Sequence, residues 1–441
     1  MHKNNSIKYK NLAQRTLNQS FASTSKNEEQ ESFRFDLCNA LVSANIPLAK
    51  LDNTMFKTFL GKYTKFLIPD RSTIRNKYVN MVFKETMIKI KDAIGDNNIY
   101  IIVDETTDTC GRYIANLLIG ILNEDCAGKS YLIGTQELDR TNNVTISKFI
   151  NDCLTRFYLP NAVPSEKVLL MLSDAAAYMI KSAQNLKIFY NNLIHVTCLA
   201  HGVNRIAEEI RNEFPDINRL VNKTKKVFIK APLRVQYYKD KLPELPLPPQ
   251  PVITRWGTWL DATLFYAENF EKIKEIVCSF SDDSAVITNC KNILNKAQLP
   301  QELAFIKANY GFISELLTKL ETQDMELSES IELIQSFKNR INNIKGTIGQ
   351  RIKTKLEDVL RKNEGFTQLT KISNILQGNH EENIQMSPSI ICKFKYAPIT
   401  SVDVERSFSA YKQILSNRRQ SFLIENLEKH LIISIYNSVR N

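Results

Sequence analysis

The fold is decided by one stretch, residues 98–122, which reads NIYIIVDETTDTCGRYIANLLIGIL. Two apolar runs rich in β-branched residues flank a short polar turn, and this pattern predicts two consecutive β-strands. Three acids, Asp104, Glu105 and Asp108, follow closely on the first run. An aspartate at the end of a strand is commonly a turn residue or a helix cap, but a carboxylate there is also a ligand for a metal ion. The rest of the chain has to decide between these two interpretations.

The segments that follow predict a mixed α/β fold. A third β-like run, KSYLIGTQEL (129–138), completes an antiparallel meander with the two runs of the opening stretch. Beyond it, helical and strand patterns alternate: VTISKFINDCLTRFY, then KVLLMLSD, then AAYMIKSAQNLKIFY, then LIHVT. Three antiparallel strands followed by alternating helices and strands favour one mixed sheet.

The remaining sequence is mostly helical in pattern and suggests five regions. We expect, in order, a disordered polar lead-in (1–30), an N-terminal helical region (31–95), the first part of an α/β core (96–212), a helical insertion with a basic and a Pro-rich stretch (213–385), and closing helices (386–441).

The composition restricts the class of protein. The chain has 441 residues, 43% of them hydrophobic, with a formal net charge of +11 and a pI of about 9.1. A basic surplus favours an acidic partner such as nucleic acid, although a merely soluble basic protein is equally consistent with it. Eight cysteines occur without a CxxC pair, the N-terminus has no apolar core, and no run is long enough for a membrane span. We therefore expect a protein of a reducing compartment, cytosol or nucleus, with no membrane association.

Three carboxylates stand where a metal site could form. Asp104 and Asp174 each end a predicted strand, and the carboxyl ends of strands in open α/β sheets commonly form sites. Glu405 lies in APITSVDVERSFSAYKQIL (397–415), which predicts a helix from near Ser401 with Glu405 beside its apolar stripe. Such oxygens suit Mg²⁺ or Mn²⁺. The alternatives are a turn or cap role for each aspartate and a dipole-complementing role for the glutamate.

Five short motifs, taken together, resemble the hAT superfamily of DNA transposases, nearest the branch that contains the CGG triplet repeat-binding protein and its transposase-like relatives. The motifs are, in chain order, VDETTD (103–108), SDAAAYM (173–179), CLAH (198–201), TRWGTW (254–259) and VDVERSFSAYK (402–412). The resemblance extends over residues 30–440, and it rests on the order of the motifs, because each motif alone is short.

The resemblance implies an RNase H-like core that is interrupted by a large all-α insertion and closed by the C-terminal segment. It implies that Asp104 and Asp174 are the two aspartates of a DDE motif, that Glu405 is its glutamate, and that all three hold Mg²⁺ or Mn²⁺. The implied activity is cleavage and strand transfer on double-stranded DNA, by a nuclear homodimer or higher homo-oligomer.

The resemblance also implies DNA contacts around TRWGTW. Trp256 corresponds to a tryptophan that stacks on a flipped base, which an aromatic face can receive for about 1–3 kcal/mol. Arg255 beside it can contact phosphate. Alternatively, Trp256 and Trp259 form the core face of one helix.

Cys198 and His201 correspond to the CxxH motif of the family. We expect a packed cysteine and a histidine that is hydrogen-bonded or faces DNA phosphate, and no zinc, because no further ligand has suitable spacing.

The stretch 219–241 carries eight Lys and Arg against one acid, interleaved with aromatics. This pattern is typical of a surface that follows the DNA backbone, although a solvated helix face explains the charges equally. The candidate DNA contacts are Lys223, Lys225, Lys226, Lys230 and Arg234.

The tail FLIENLEKHLIISIYN (422–437) resembles the dimerisation region of the family. Its apolar residues exceed what one helical stripe needs, so either a partner subunit or the chain's own core has to cover them. The candidate dimer contacts are Phe422, Leu427, Leu431 and Ile435.

Two departures from the family pattern keep a second function open. Tyr178 stands where the family usually has an asparagine, and the Cys/Cys/His/His set of a BED-type zinc finger does not occur in this sequence. The alternative to an active transposase is therefore a domesticated or relic DNA-binding dimer without catalysis.

Overall fold

The structure is a computed structural model that describes residues 27–252, 255–281, 284–379, 382–415, 419 and 422–440. The predicted disordered lead-in lies outside these residues, except for 27–30, which are helical. None of the helices in the described ranges is long and apolar enough to cross a membrane.

The N-terminal region is helical, as its pattern predicts. Helix α1 covers residues 27–43, and a 3₁₀ turn (Leu48–Asp52) leads to α2 (Thr54–Tyr63). One continuous helical run then comprises α3 (Arg71–Thr73), a π-helical turn (Ile74–Tyr78) and α4 (Val79–Ile94). These elements bury a small core of their own, which Ile433 from the C-terminal helix joins.

The centre of the chain forms a five-stranded mixed sheet, so the predicted mixed α/β fold is confirmed. The strands are β1 (Asn98–Thr107), β2 (Tyr113–Leu122), β3 (Ser130–Leu138), β4 (Val168–Ser173) and β5 (Ile194–Thr197). Their order in the sheet is β3-β2-β1-β4-β5. The pairs β1–β2 and β2–β3 are antiparallel, whereas β1–β4 and β4–β5 are parallel.

Helices complete the core. Helix α5 (Asn143–Tyr158) begins at a capping box on Asn142 and connects β3 to β4, and α6 (Ala177–Leu186) connects β4 to β5. From the far end of the chain, α18 (Val402–Ile414) packs on β1 and β2, and α19 (Ile424–Arg440) packs on β3 and α4. The central strands read as nearly continuous apolar runs because helices and neighbouring strands surround them.

The segment between β5 and α18 is helical, as predicted. Its helices are α7 (Leu199–Glu213), α8 (Pro215–Phe228), α9 (Pro232–Lys241), α10 (Thr258–Ser279), α11 (Ala285–Leu294), α12 (Leu299–Tyr310), α13 (Phe312–Leu320), α14 (Leu327–Asn342), α15 (Gly346–Arg361), α16 (Glu364–Leu376) and α17 (Pro388–Lys393). A 3₁₀ turn (Phe394–Tyr396) follows. The buried side chains of these helices are continuous with those of the sheet.

Candidate metal centre

Asp104 lies near the end of β1 in the middle of the sheet. It pairs with Asn116 of β2, and only 6% of its surface is exposed. Its Oδ1 accepts the backbone N–H of Glu105 at 2.9 Å. Burying a carboxylate is unfavourable unless it is compensated, so the groups around Asp104 decide its role.

Glu405 reaches Asp104 because α18 is fixed on β1 and β2 by buried hydrogen bonds. Asn116 Nδ2 donates to Ser407 Oγ at 2.8 Å, and the Ser407 hydroxyl donates to the Val404 carbonyl at 2.6 Å. One turn further along the helix, the Tyr411 hydroxyl donates to Asp108 Oδ2 at 2.9 Å. The predicted helix with its buried stripe is confirmed, and it presents Glu405 at the edge of the core.

His201 is the third member of the cluster. It lies in the first turn of α7, directly after β5. One potential ligand atom from each of Asp104, His201 and Glu405 lies within 4.8 Å of the others, and His201 Nε2 is 3.5 Å from Glu405 Oε1.

The charges of the cluster act on one another. Burial raises the pKa of Asp104 well above its usual value; His201 opposes this shift, and Glu405, Asp174 and Glu105 reinforce it. Burial alone would lower the pKa of His201, but interactions with Cys198, Glu405 and Asp104 outweigh burial and raise the pKa to about 11. The cluster therefore favours a positive charge among its carboxylates.

Cys198 is buried and interacts with His201. Its sulfur accepts the backbone N–H of Ser401 at 3.1 Å, which joins the start of α7 to the residue before α18. Burial acts to raise the pKa of the Cys198 thiol, but the neighbouring His201 and the Ser401 hydrogen bond lower it below its usual value. The expected packed cysteine is thus present.

Asp174 lies nearby but outside the three-residue cluster. It follows β4 directly, is half-buried, and accepts the backbone N–H of Ala176 on Oδ1 at 3.1 Å. Its charge reaches Asp104 and Glu105. The structure therefore brings Asp104 and Glu405 together as predicted, places Asp174 at the same edge in a turn, and adds His201.

Glu105 and Tyr178 form a pair beside the cluster. The Tyr178 hydroxyl donates to Glu105 Oε1. Burial raises the pKa of Glu105, and the Tyr178 hydrogen bond partly offsets that shift. Tyr178, which stands where the family usually has an asparagine, is thus hydrogen-bonded to the carboxylate of Glu105. Sequence reasoning noticed Glu105 only as one acid among three, because nothing in the sequence pairs it with Tyr178.

Trp256 packs on the histidine of the cluster. The two rings meet edge to face, with centroids 4.7 Å apart and an interplanar angle of 70°. Gly257, at φ +70°, separates Trp256 from α10, and its N–H donates to Asn204 Oδ1 at 3.2 Å. Trp259 lies inside α10 and is buried. The alternative in which both tryptophans form one helix face is therefore wrong, and the half-buried Trp256 lies next to the cluster, with the exposed Arg255 preceding it.

The basic stretch forms the outer surface of α8 and α9. Lys223, Lys226 and Lys230 are exposed, Lys225 is half-buried, and half-buried Arg234 donates to the Val227 carbonyl at 3.1 Å.

The aromatics of this stretch mostly face inwards. Phe228 and Tyr238 are buried against each other, with ring centroids 5.2 Å apart, and only Tyr237 is exposed. The predicted interleaving of charge with accessible aromatics is therefore wrong for two of the three rings, because they fill the core beneath the lysines.

The tail packs into its own chain. Leu427 and Leu431 are fully buried, and α19 contacts β3 and α4. Phe422 and Ile435 are half-buried and pack against the same core. The sequence left open whether a partner subunit or the chain's own core covers these apolar residues. The chain's own core covers Leu427 and Leu431, so neither side chain is accessible to a partner subunit.

The donor set fits a divalent cation. Two carboxylate oxygens and an imidazole nitrogen meet in a partly buried site, a combination that Mn²⁺ and Zn²⁺ take readily. The expectation of no zinc rested on the lack of ligands at suitable spacing. The fold brings two carboxylates from distant parts of the chain to His201, and the expectation of no zinc stays a prediction.

Comparison with known families gives one match. Residues 69–227 match the model of a domain of unknown function, DUF659, a family found in hAT-type transposase-like proteins. This segment contains Asp104, Asp174, Cys198 and His201, whereas Trp256 and Glu405 lie beyond it. No curated protein matches the chain.

Proposed function

We propose that the chain is a hAT-type transposase-like protein that cleaves double-stranded DNA and transfers strands with the help of Mg²⁺ or Mn²⁺. The observation that carries the proposal is the meeting of Glu405 with Asp104. Two carboxylates from distant parts of the chain come to one sheet edge, and a buried hydrogen bond holds the helix that brings the second. Metal-dependent phosphoryl transfer needs such converging carboxylates to hold the cation.

The topology supports the same proposal. Three antiparallel strands followed by two parallel ones, in the order β3-β2-β1-β4-β5, correspond to an RNase H-like core. The block α8–α16 then corresponds to the helical insertion, and α18 to the segment that closes the core. The DUF659 match covers all five strands of the sheet and contains Asp104 and Asp174.

The residues of the chain have distinct parts in this reaction. Asp104 and Glu405 present oxygens to the cation, and Asp174, at the same edge, completes the acidic set. When bound, the cation would activate water or a 3′-hydroxyl as the nucleophile and stabilise the leaving oxygen. Trp256, next to the cluster, is placed to receive a flipped base, and Arg255 to contact phosphate. The exposed lysines of α8 extend a positive surface for the duplex.

The protein acts on DNA in the nucleus and as a homodimer or higher homo-oligomer in this proposal. Because α19 is covered by its own chain, the contact between copies has to use a surface other than Leu427 and Leu431.

Two observations favour the alternative, a non-catalytic DNA-binding dimer on the same fold. The carboxylate of Asp174 lies in an Asx-type turn outside the three-residue cluster, and Tyr178 is engaged with Glu105 rather than with a ligand. A relic could keep such a core for its stability alone.

A nicking assay distinguishes the two functions. Duplex DNA carrying the sequences that flank the gene is incubated with the protein and Mg²⁺ or Mn²⁺. The variants are Glu405→Gln and, as a matched control, Glu425→Gln, since Glu425 lies exposed in the first turn of the next helix. Cleavage by wild type and control, but not by Glu405→Gln, is expected. Binding without cleavage by all three would favour the scaffold.

A further inference from the structure

We infer that His201 is a nitrogen ligand of the metal centre, and that the centre therefore selects Mn²⁺ over Mg²⁺. This inference rests on the proposed function and reassigns His201, which the sequence favours as a DNA contact. It also replaces an all-carboxylate triad by a set in which one ligand is an imidazole.

The distances support coordination. His201 Nε2 faces Glu405 Oε1 at 3.5 Å, and all three ligand atoms lie within 4.8 Å of one another. A cation with bonds of about 2.1 Å holds neighbouring ligand atoms about 3 Å apart and opposite ones about 4.2 Å apart. Around an ion, His201 Nε2 and Glu405 Oε1 would therefore move about 0.5 Å closer together, and the other pairs start from within 4.8 Å.

The ring is oriented by its surroundings before any ion binds. Trp256 packs edge to face on it, and the start of α7 is fixed because the N–H of Leu199 donates to the Ile399 carbonyl at 3.0 Å. The buried Cys198, three residues earlier in the chain, also interacts with the ring. The imidazole lies beside two carboxylates, one of them 6% exposed, and a cation bound there would displace the proton that these carboxylates favour on the ring.

A phosphate contact explains these facts less well. The His201 side chain is only 23% exposed, its ring is covered by Trp256, and its nearest charged atom belongs to Glu405. A DNA phosphate approaching Nε2 would meet that carboxylate and be repelled by it.

The choice of ion follows from the ligand types. Mg²⁺ prefers oxygen ligands in strict octahedral geometry, whereas imidazole nitrogen suits first-row transition ions. Replacing one carboxylate by imidazole therefore shifts the preference towards Mn²⁺, and Zn²⁺ should compete for the same ligands.

Pulsed electron paramagnetic resonance of Mn²⁺ bound to the full chain tests the inference directly, because nitrogen modulation of the manganese signal reports an imidazole ligand. The variants are His201→Asn and, as a matched control, His430→Asn, since His430 is a buried histidine in α19 outside the cluster. We expect nitrogen modulation in wild type and in His430→Asn, and its loss in His201→Asn. Calorimetry should show Mn²⁺ affinity falling about tenfold or more in His201→Asn, with Mg²⁺ affinity changing far less.

The outcomes separate this inference from the proposed function. Bound Mn²⁺ without nitrogen modulation, together with metal-dependent cleavage, overturns the role of His201 and leaves the nuclease standing. Nitrogen modulation without cleavage supports the role of His201 and overturns the nuclease. If no ion binds, the inference is wrong. Should His201→Asn fail to fold, wild-type protein labelled with ¹⁵N-histidine still gives the answer, because the isotope changes the modulation of an imidazole ligand.

Discussion

Removing one buried hydroxyl should loosen the helix that carries Glu405. Ser407 Oγ accepts from Asn116 Nδ2 at 2.8 Å, and both residues are almost completely buried. Ser407→Ala removes a hydrogen bond worth about 1 kcal/mol and leaves the Asn116 N–H without a partner, at a further cost of about 1–3 kcal/mol. We expect a loss of about 2–4 kcal/mol in the free energy of unfolding.

The assay is urea unfolding followed by circular dichroism, with Ser409→Ala as the matched control. Ser409 lies in the same helix and is exposed, so its replacement should change the free energy of unfolding by less than about 0.5 kcal/mol. In folded protein, Ser407→Ala should also weaken Mn²⁺ binding, because Glu405 lies two residues away. If Ser407→Ala and Ser409→Ala were equally stable, the hydrogen bond between Asn116 and Ser407 would not be what holds α18 on the sheet.

Three further perturbations test other parts of the structure. Burial, reinforced by Lys187, lowers the pKa of His195 to about 4, so the unfolded chain binds a proton on this histidine more tightly than the folded chain does. The free energy of unfolding should therefore fall as the pH drops from about 6.5 towards 4. Urea titrations at a series of pH values should show that His195→Gln flattens that part of the profile. Gly257→Ala should destabilise the protein, because φ is +70° and the new Cβ would lie 2.9 Å from Leu317 Cδ1; thermal unfolding measures the loss. Trp259→Ala should cost about 3–5 kcal/mol of stability, whereas Trp256→Ala should cost much less and mainly weaken binding of DNA ends; urea unfolding and gel shifts separate the two effects.

The local features of the fold were predictable from the sequence. The apolar runs at 98–122 become β1 and β2, but β1 does not end at Asp104 as predicted: its pairing with β2 continues to Thr107, so of the three acids only Asp108 follows the strand. The helix from Val402 buries Val404, Phe408 and Tyr411 on one face, because a 3.6-residue period determines which residues point to the core.

The contacts between distant segments were not predictable. The spacing of residues in the sequence gives no reason to place His201 beside Asp104 and Glu405. These residues lie far apart in the sequence, and only the tertiary packing of the chain brings them together. Whether Asp174 lies inside or outside the ligand set depends on a turn of a few residues, which strand patterns do not specify. The tail's apolar excess was visible, but whether a second subunit or the chain's own sheet covers it depends on tertiary packing.

The most direct test of the metal centre is anomalous diffraction at the manganese absorption edge, on crystals of the full chain soaked at an Mn²⁺ concentration that supports DNA nicking. We expect an anomalous peak within bonding distance of Asp104, His201 and Glu405, and its loss in Glu405→Gln crystals. A peak elsewhere, or none beside Asp104 while the protein still cleaves DNA under those conditions, would show that these residues do not form the metal centre.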